Sequence, residues 1–311
     1  MLRSVLLSLG ALLLAVAPAI ARPLPLSGPL ELQDGDTVVL LGDAFFEREG
    51  TYGFIESWLT TRFPDRQIRF RNLAWSGDSP RGEARAYFGP PDEGLQRLQG
   101  HLDLVKPTVI FVCYGSAVLA EGKQGLEPSL ASYARLLDLL HKTGAGIVLV
   151  SPPPAEEKGA AAPILKRRNT AAQEYAQAIQ QLAVARKLRF ADLFAGLSTP
   201  VAQGNGTLTV NGIHFTEAAY RRLAPAIGRA LLQTPGEASP TPVFPDNPRL
   251  LAAIREKNQL FFYRWRPQNE TYLFGFRKHE QGNNGVEIPH FDPLVAEKEQ
   301  QIASLRVQPV P

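Results

Sequence analysis

Residues 37–44, Thr37-Val38-Val39-Leu40-Leu41-Gly42-Asp43-Ala44, decide the fold. A β-branched and aliphatic run that stops on Gly-Asp reads as a short strand entering a tight turn. Nothing polar alternates through it, as expected of a strand covered on both faces. Four later runs share this character: Ile68–Leu73, Thr108–Cys113, Gly146–Val150 and Leu188–Leu193. Between them lie segments of helical period. Phe54, Ile55, Trp58 and Leu59 form one stripe, Leu130, Ala134, Leu137 and Leu140 a second, and Tyr175, Ile179 and Leu182 within Asn169–Arg186 a third. Thr216–Leu232 opens on a Thr cap with Glu217 in its first turn, which suits the helix dipole. This β-α alternation predicts an α/β fold, a three-layer α/β/α arrangement around a five-stranded, mainly parallel sheet.

The two ends of the chain read differently. Met1–Ala21 has the form of a secretory signal: Arg3, the apolar run Val5–Val16, and Ala19-Ile20-Ala21 as a small-residue cleavage site. The run is short for a membrane span, so export with cleavage after Ala21 is expected, to the periplasm or the medium. No further long apolar stretch follows, and no stable membrane insertion is expected after cleavage. Residues 22–233 form the main domain. Residues 234–248 are Pro-rich and read as a linker or surface strap, and residues 249–311 are a C-terminal extension. In that extension Arg249–Leu260 and Pro293–Leu305 are helix-like, with an aromatic and basic stretch, Phe261–Arg277, and a polar loop between them.

Composition narrows the function. Removing 1–21 takes away Arg3 and no acid, leaving 32 basic against 30 acidic residues. So even a balance gives no electrostatic case for nucleic acid. The single Cys113 excludes an internal disulfide and sits in an apolar run, where it reads as a small buried hydrophobe. Neither metal nor cofactor is expected.

Four motifs follow strand ends or precede the last helix of the main domain. They are Gly42-Asp43-Ala44, Asn72-Leu73-Ala74-Trp75-Ser76-Gly77-Asp78, Tyr114-Gly115-Ser116-Ala117 and Asn211-Gly212-Ile213-His214. In an open parallel sheet such positions converge on one rim. In order and spacing they resemble the blocks of the SGNH (GDSL-type) hydrolases, esterases and acyl hydrolases of flavodoxin-like fold, over roughly residues 36–232. The resemblance extends to a secreted bacterial branch through LGDAFFEREGTYG (41–53), FRNLAWSGDSPRG (70–82), Lys106–Gly122 and YRWRPQNETYLFGFRKHEQGNN (263–284). Some relatives in that branch carry cytochrome modules, but no CxxCH occurs here.

The resemblance assigns roles residue by residue. Ala44 stands where the family has its Ser nucleophile. Gly77 matches the backbone N–H of the oxyanion hole, Ala117 replaces the Asn that completes that hole, and Asn211 and His214 occupy the Asp and His places. A methyl cannot attack a carbonyl, so the acyl-enzyme route is closed. A missing oxyanion donor costs about 10²–10³ in rate. Asn in place of a triad Asp costs about 10⁴ in the chymotrypsin-type case. Ser76, Ser79 and Ser116 read as turn residues rather than replacement nucleophiles. Asp43 reads either as a structural carboxylate holding loop N–H groups or, with His214, as a general base on a water.

Arg277, His279 and Glu280 are candidates to reach the pocket if the C-terminal arm lies over the rim. The other reading has its aromatics seal an apolar patch on the main domain. Three functions stay open. The first, which the lost side chains favour, is a pseudo-hydrolase that binds a carbohydrate or acyl-ester ligand. The second is a deacetylase-like ester hydrolase using His214 and a water. The third is a structural or assembly protein acting through the arm.

Overall fold

The computed structural model describes residues 22–90, 92–204, 206–233 and 247–306. The expected leader Met1–Ala21 and residues 234–246 of the Pro-rich segment lie outside the described residues. The centre of the molecule is a five-stranded sheet of order β2-β1-β3-β4-β5. Its strands are β1 (Thr37–Gly42), β2 (Arg69–Asn72), β3 (Val109–Cys113), β4 (Gly146–Val150) and β5 (Arg189–Ala191). Each of the five apolar runs supplies one strand, and every pairing is parallel.

The helices of the main domain are α1 (Ala44–Tyr52), α2 (Phe54–Arg62), α3 (Glu93–Val105), α4 (Ser116–Glu121), α5 (Lys123–His141), α6 (Ala162–Arg186), α7 (Leu193–Ala202) and α8 (Glu217–Leu232). The C-terminal segment adds α9 (Pro248–Trp265), single turns α10 (Glu270–Leu273) and α11 (Lys278–Gln281), a 3-10 stretch over Gly282–His290, and α12 (Phe291–Leu305).

Strand period sorts the core into two halves. Val38, Leu40, Val109, Phe111, Val148 and Val150 face one way and pack with Phe46, Ile55 and Leu59 of α1 and α2 and with Leu197, Leu223, Ile227 and Leu231 of α7 and α8. Val39, Leu41, Ile110, Val112, Ile147 and Leu149 face the other way, against Leu98 and Leu102 of α3, Tyr133, Leu137 and Leu140 of α5 and Tyr175 and Ile179 of α6. Both faces are covered, which is why the strands carry no polar alternation. The chain steps from β1 outward to β2 and then back across β1 to β3. A crevice therefore opens at the carboxyl ends of β1 and β3.

The C-terminal segment packs along the β2 edge and reaches the second motif, where Trp265 lies edge-on to Trp75 with centroids 5.8 Å apart and Arg266 pairs with Glu47 at 2.6 Å. Helix α9 runs past Leu260 to Trp265, so the first aromatics of the basic stretch are helical; Asn247 caps it by accepting from Leu250 N at 3.0 Å. Phe261 and Trp265, one turn apart, join the second core half together with Val295 of α12. The polar loop expected after Arg277 is mostly short turns.

Strand β2 is an edge, and its backbone needs cover. Lys257 Nζ of α9, fully buried, donates to Phe70 O at 3.0 Å and pairs with Glu56 Oε1 of α2 at 2.7 Å. Asn258 Nδ2 donates to the other oxygen of Glu56 at 3.2 Å, and Arg71 of β2 pairs with Glu299 of α12 at 2.5 Å. Each partner answers a group that would otherwise be buried alone.

Candidate functional site

Backbone hydrogen bonds stitch the first three motifs together where β1 and β3 end. Trp75 N donates to Gly42 O at 2.9 Å, and Asp43 N donates to Cys113 O at 3.3 Å. Gly42 lies opposite Cys113 in the register, so close that a Cβ at 42 would overlap the Cys113 carbonyl. Only glycine permits that approach. The second motif is anchored from inside: Asp78 accepts from Arg85 Nε at 2.7 Å and from Tyr114 OH at 3.2 Å, and Arg85 Nη2 donates to Leu73 O at 2.7 Å. Arg85 is fully buried between the rings of Trp75 and Trp265.

Asp43 is buried, and its carboxylate holds three backbone donors. Oδ2 accepts from Gly115 N at 2.9 Å and Ser116 N at 2.8 Å, and Oδ1 caps α1 by accepting from Phe45 N at 3.3 Å. These bonds fix the start of α1 against the start of α4. Gly115 is required there, since a Cβ would lie 2.5 Å from Pro152 Cβ.

The fourth motif hangs on Glu156, whose carboxylate accepts from Leu208 N, Thr209 N and Thr209 Oγ1 at 2.7–3.0 Å. Gly212 N donates to Thr209 Oγ1 at 2.9 Å. Thr216 caps α8 through Ala219 N, and Tyr220 OH of α8 donates to Phe45 O at 2.5 Å, which ties this loop to α1.

Within the motif, Asn211 Oδ1 accepts from Ile213 N at 3.2 Å and His214 N at 2.9 Å. That arrangement turns Nδ2 toward the ring, 3.0 Å from His214 Nδ1. An amide nitrogen only donates, so Nδ1 must accept and the ring proton belongs on Nε2. Burial, reinforced by Arg48 and Arg168 and opposed by Asp43, pulls the His214 pKa below its ordinary value. At neutral pH the ring is therefore uncharged.

Asp43, Phe45, Arg48, Ser116, Arg168, His214 and Tyr220 share a cavity of about 30 Å³ walled by Pro152, Pro153 and Pro154. Of the sequence candidates, Asp43 and His214 line it, with Asn211 immediately behind the ring; Ser116, expected as a turn residue, is the first residue of α4 and lines it too. Ala44 is the buried first residue of α1 beside Asp43. Gly77 is exposed in its turn at φ +79°, and Ala117 is half-buried on α4. Arg277, His279 and Glu280 do not line the cavity. Arg277 donates to Glu280 at 2.6 Å and lies over the Tyr272 ring, on the outer surface of the C-terminal segment.

Sequence reading missed Arg48, Arg168 and the proline wall. Arg48 sits one helical turn after Ala44, and the prolines follow β4 at the same rim, so both were within reach of the strand-end rule. Arg168, on α6, carries no such signal. Among the described residues no group of His, Cys, Asp and Glu is placed to hold a metal, and no helix is long and apolar enough to cross a membrane.

A model of the GDSL-like lipase/acylhydrolase family matches residues 40–222. No curated protein sequence matches the chain. Among solved structures, two catalytic mutants of Axe2, an acetylxylan esterase from Geobacillus stearothermophilus, share the fold. One is 18% identical with a TM-score of 0.50, over 66% of this chain and 95% of that one. The other is 18% identical with a TM-score of 0.51, over 65% and 96%.

Proposed function

The chain belongs to the GDSL-like lipase/acylhydrolase family, and from that premise we propose that it is an exported pseudo-hydrolase. Its pocket keeps the family position and binds a carbohydrate or acyl-ester ligand without cleaving it. The observation that carries this reading is the hydrogen bond from Asn211 Nδ2 to His214 Nδ1. It leaves His214 with an N–H toward the cavity where a general base needs a lone pair. Ala44 agrees with it, since the nucleophile position holds a methyl. So does Asp43, whose carboxylate is engaged by three backbone N–H groups rather than poised beside a water. Export rests on the form of Met1–Ala21.

A second reading, an ester hydrolase that activates a water through His214, is favoured by one observation: Asp43 and His214 line the same cavity. Turnover of acetyl and short-acyl esters separates the two. The assay compares the mature protein, a His214→Ala variant, and a triple variant carrying Ala44→Ser, Ala117→Asn and Asn211→Asp. Activity confined to the triple variant supports the pseudo-hydrolase. Wild-type activity lost in His214→Ala supports the water mechanism and overturns the proposal.

A further inference from the structure

The cavity is more basic than an ester-binding pocket needs to be. Arg48 of α1 and Arg168 of α6 both line it, and both are half-buried. Among the described residues neither guanidinium has a hydrogen-bond partner or an ion-pair partner within 4 Å. The neighbouring cations do have them: Arg266 is held by Glu47 and Arg255 by Glu217. A half-buried guanidinium with unfilled forks is free to take an incoming acceptor in charge-assisted hydrogen bonds. Burial pulls the Arg168 pKa below its usual value, with Asp43 opposing. Asp43, the single carboxylate in the lining, already accepts three backbone N–H groups. Two further polar groups line the space: His214, neutral and carrying its proton on Nε2, and Ser116. The lining thus offers donors from Arg48, Arg168, His214 and the Ser116 hydroxyl.

We propose that this pocket is a carboxylate-binding site, with Arg48 and Arg168 clamping the anion and His214 Nε2–H completing its coordination. The inference deepens the ligand-binding reading and rests on it. A planar carboxylate matches the guanidinium fork with two parallel hydrogen bonds. The space is narrow, about 30 Å³, so a small group of a ligand enters it first. The rest of the ligand therefore lies outside the proline wall. Two sources present this chemistry: an acidic sugar such as a uronic acid, or a free short-chain carboxylate such as acetate.

Calorimetric titration of the full mature chain tests it, with galacturonate, galactose, acetate and inorganic phosphate as probes, repeated on Arg48→Gln, Arg168→Gln and Arg168→Lys. Galacturonate should bind while galactose does not. Each Gln variant should weaken it by about 10- to 100-fold, the range for a charge-assisted hydrogen bond. Arg168→Lys should recover only part of the loss, because it restores charge without the fork. Acetate binding with the same Arg dependence identifies the free acid as the source. Equal binding of galactose and galacturonate overturns the proposal, as does binding of phosphate without any carboxylate. A neutral sugar that binds without turnover would leave the pseudo-hydrolase reading standing while this one fails. Ester turnover by the wild type would sink the pseudo-hydrolase and leave the carboxylate site to be judged on these titrations. Thermal melting of each variant confirms that it is folded.

Discussion

Asn211 presents an amide N–H to His214 Nδ1 at 3.0 Å, while its own oxygen is taken by the backbone amides of Ile213 and His214. An aspartate in that place would accept the Nδ1 proton and leave Nε2 free to act as a base. The amide does the reverse, and the histidine faces the pocket as a donor. Replacing Asn211 by Asp should therefore raise the His214 pKa, by about 1–3 units for a carboxylate within hydrogen-bond reach. Histidine proton shifts followed through a pH titration read this out, and an unmoved titration curve would contradict the assigned geometry.

Asp43 is a structural clamp before it is anything else. Its carboxylate spans the start of α1 and the start of α4 through Phe45, Gly115 and Ser116. Asp43→Asn removes the charge and sets an NH₂ against one of those donors. Stability should fall by about 1–3 kcal/mol, measured as a shift of the denaturation midpoint. A variant as stable as the parent would mean the carboxylate is not fixed by these bonds.

Lys257 and Glu56 join the C-terminal segment to the edge of the sheet at 2.7 Å, away from water. Lys257→Met strands a buried carboxylate and should cost about 3–5 kcal/mol. Changing Glu56 to Leu in the same chain should return most of that loss. If the single and double variants are equally unstable, packing rather than charge holds the helix in place.

His101 lies edge-on to Trp265 with centroids 5.0 Å apart, and its Nδ1 has no partner. Burial, with Arg85 and Arg97 nearby, pushes its pKa from 6.5 down to about 3. Above pH 6.5 the ring is neutral folded or unfolded, and the contribution is fully present. As pH falls from 6.5 toward 3, the unfolded chain takes a proton that the folded chain refuses. Stability then drops by about 1.4 kcal/mol per pH unit from this group. His101→Phe should flatten the decline between pH 6 and pH 4, and an unchanged slope would place the acid sensitivity elsewhere.

The sheet was legible in the sequence because its strands are buried on both faces, so five apolar runs stand out against a polar background. The rim was legible because the motifs fall at strand ends. The C-terminal segment was harder to read. Phe261, Trp265 and the basic residues around them look like an arm when only composition is available. Burial of Lys257 depends on Glu56, about two hundred residues earlier, and no local pattern announces such a pair. Arg168 escaped for the same reason, since α6 reaches the pocket only through the packing of the whole sheet. The orientation of Asn211 is set by the fold as well: the sequence supplies an Asn, and the turn decides which end of the amide meets the ring.

Ring-nitrogen NMR of His214 in the unmodified protein, recorded above its pKa, asks which nitrogen holds the proton. A pseudo-hydrolase pocket requires Nε2 to be protonated and Nδ1 to bear the lone pair. A spectrum with Nδ1 protonated would hand the pocket a working base and contradict the claim that this site has turned from cleavage to binding.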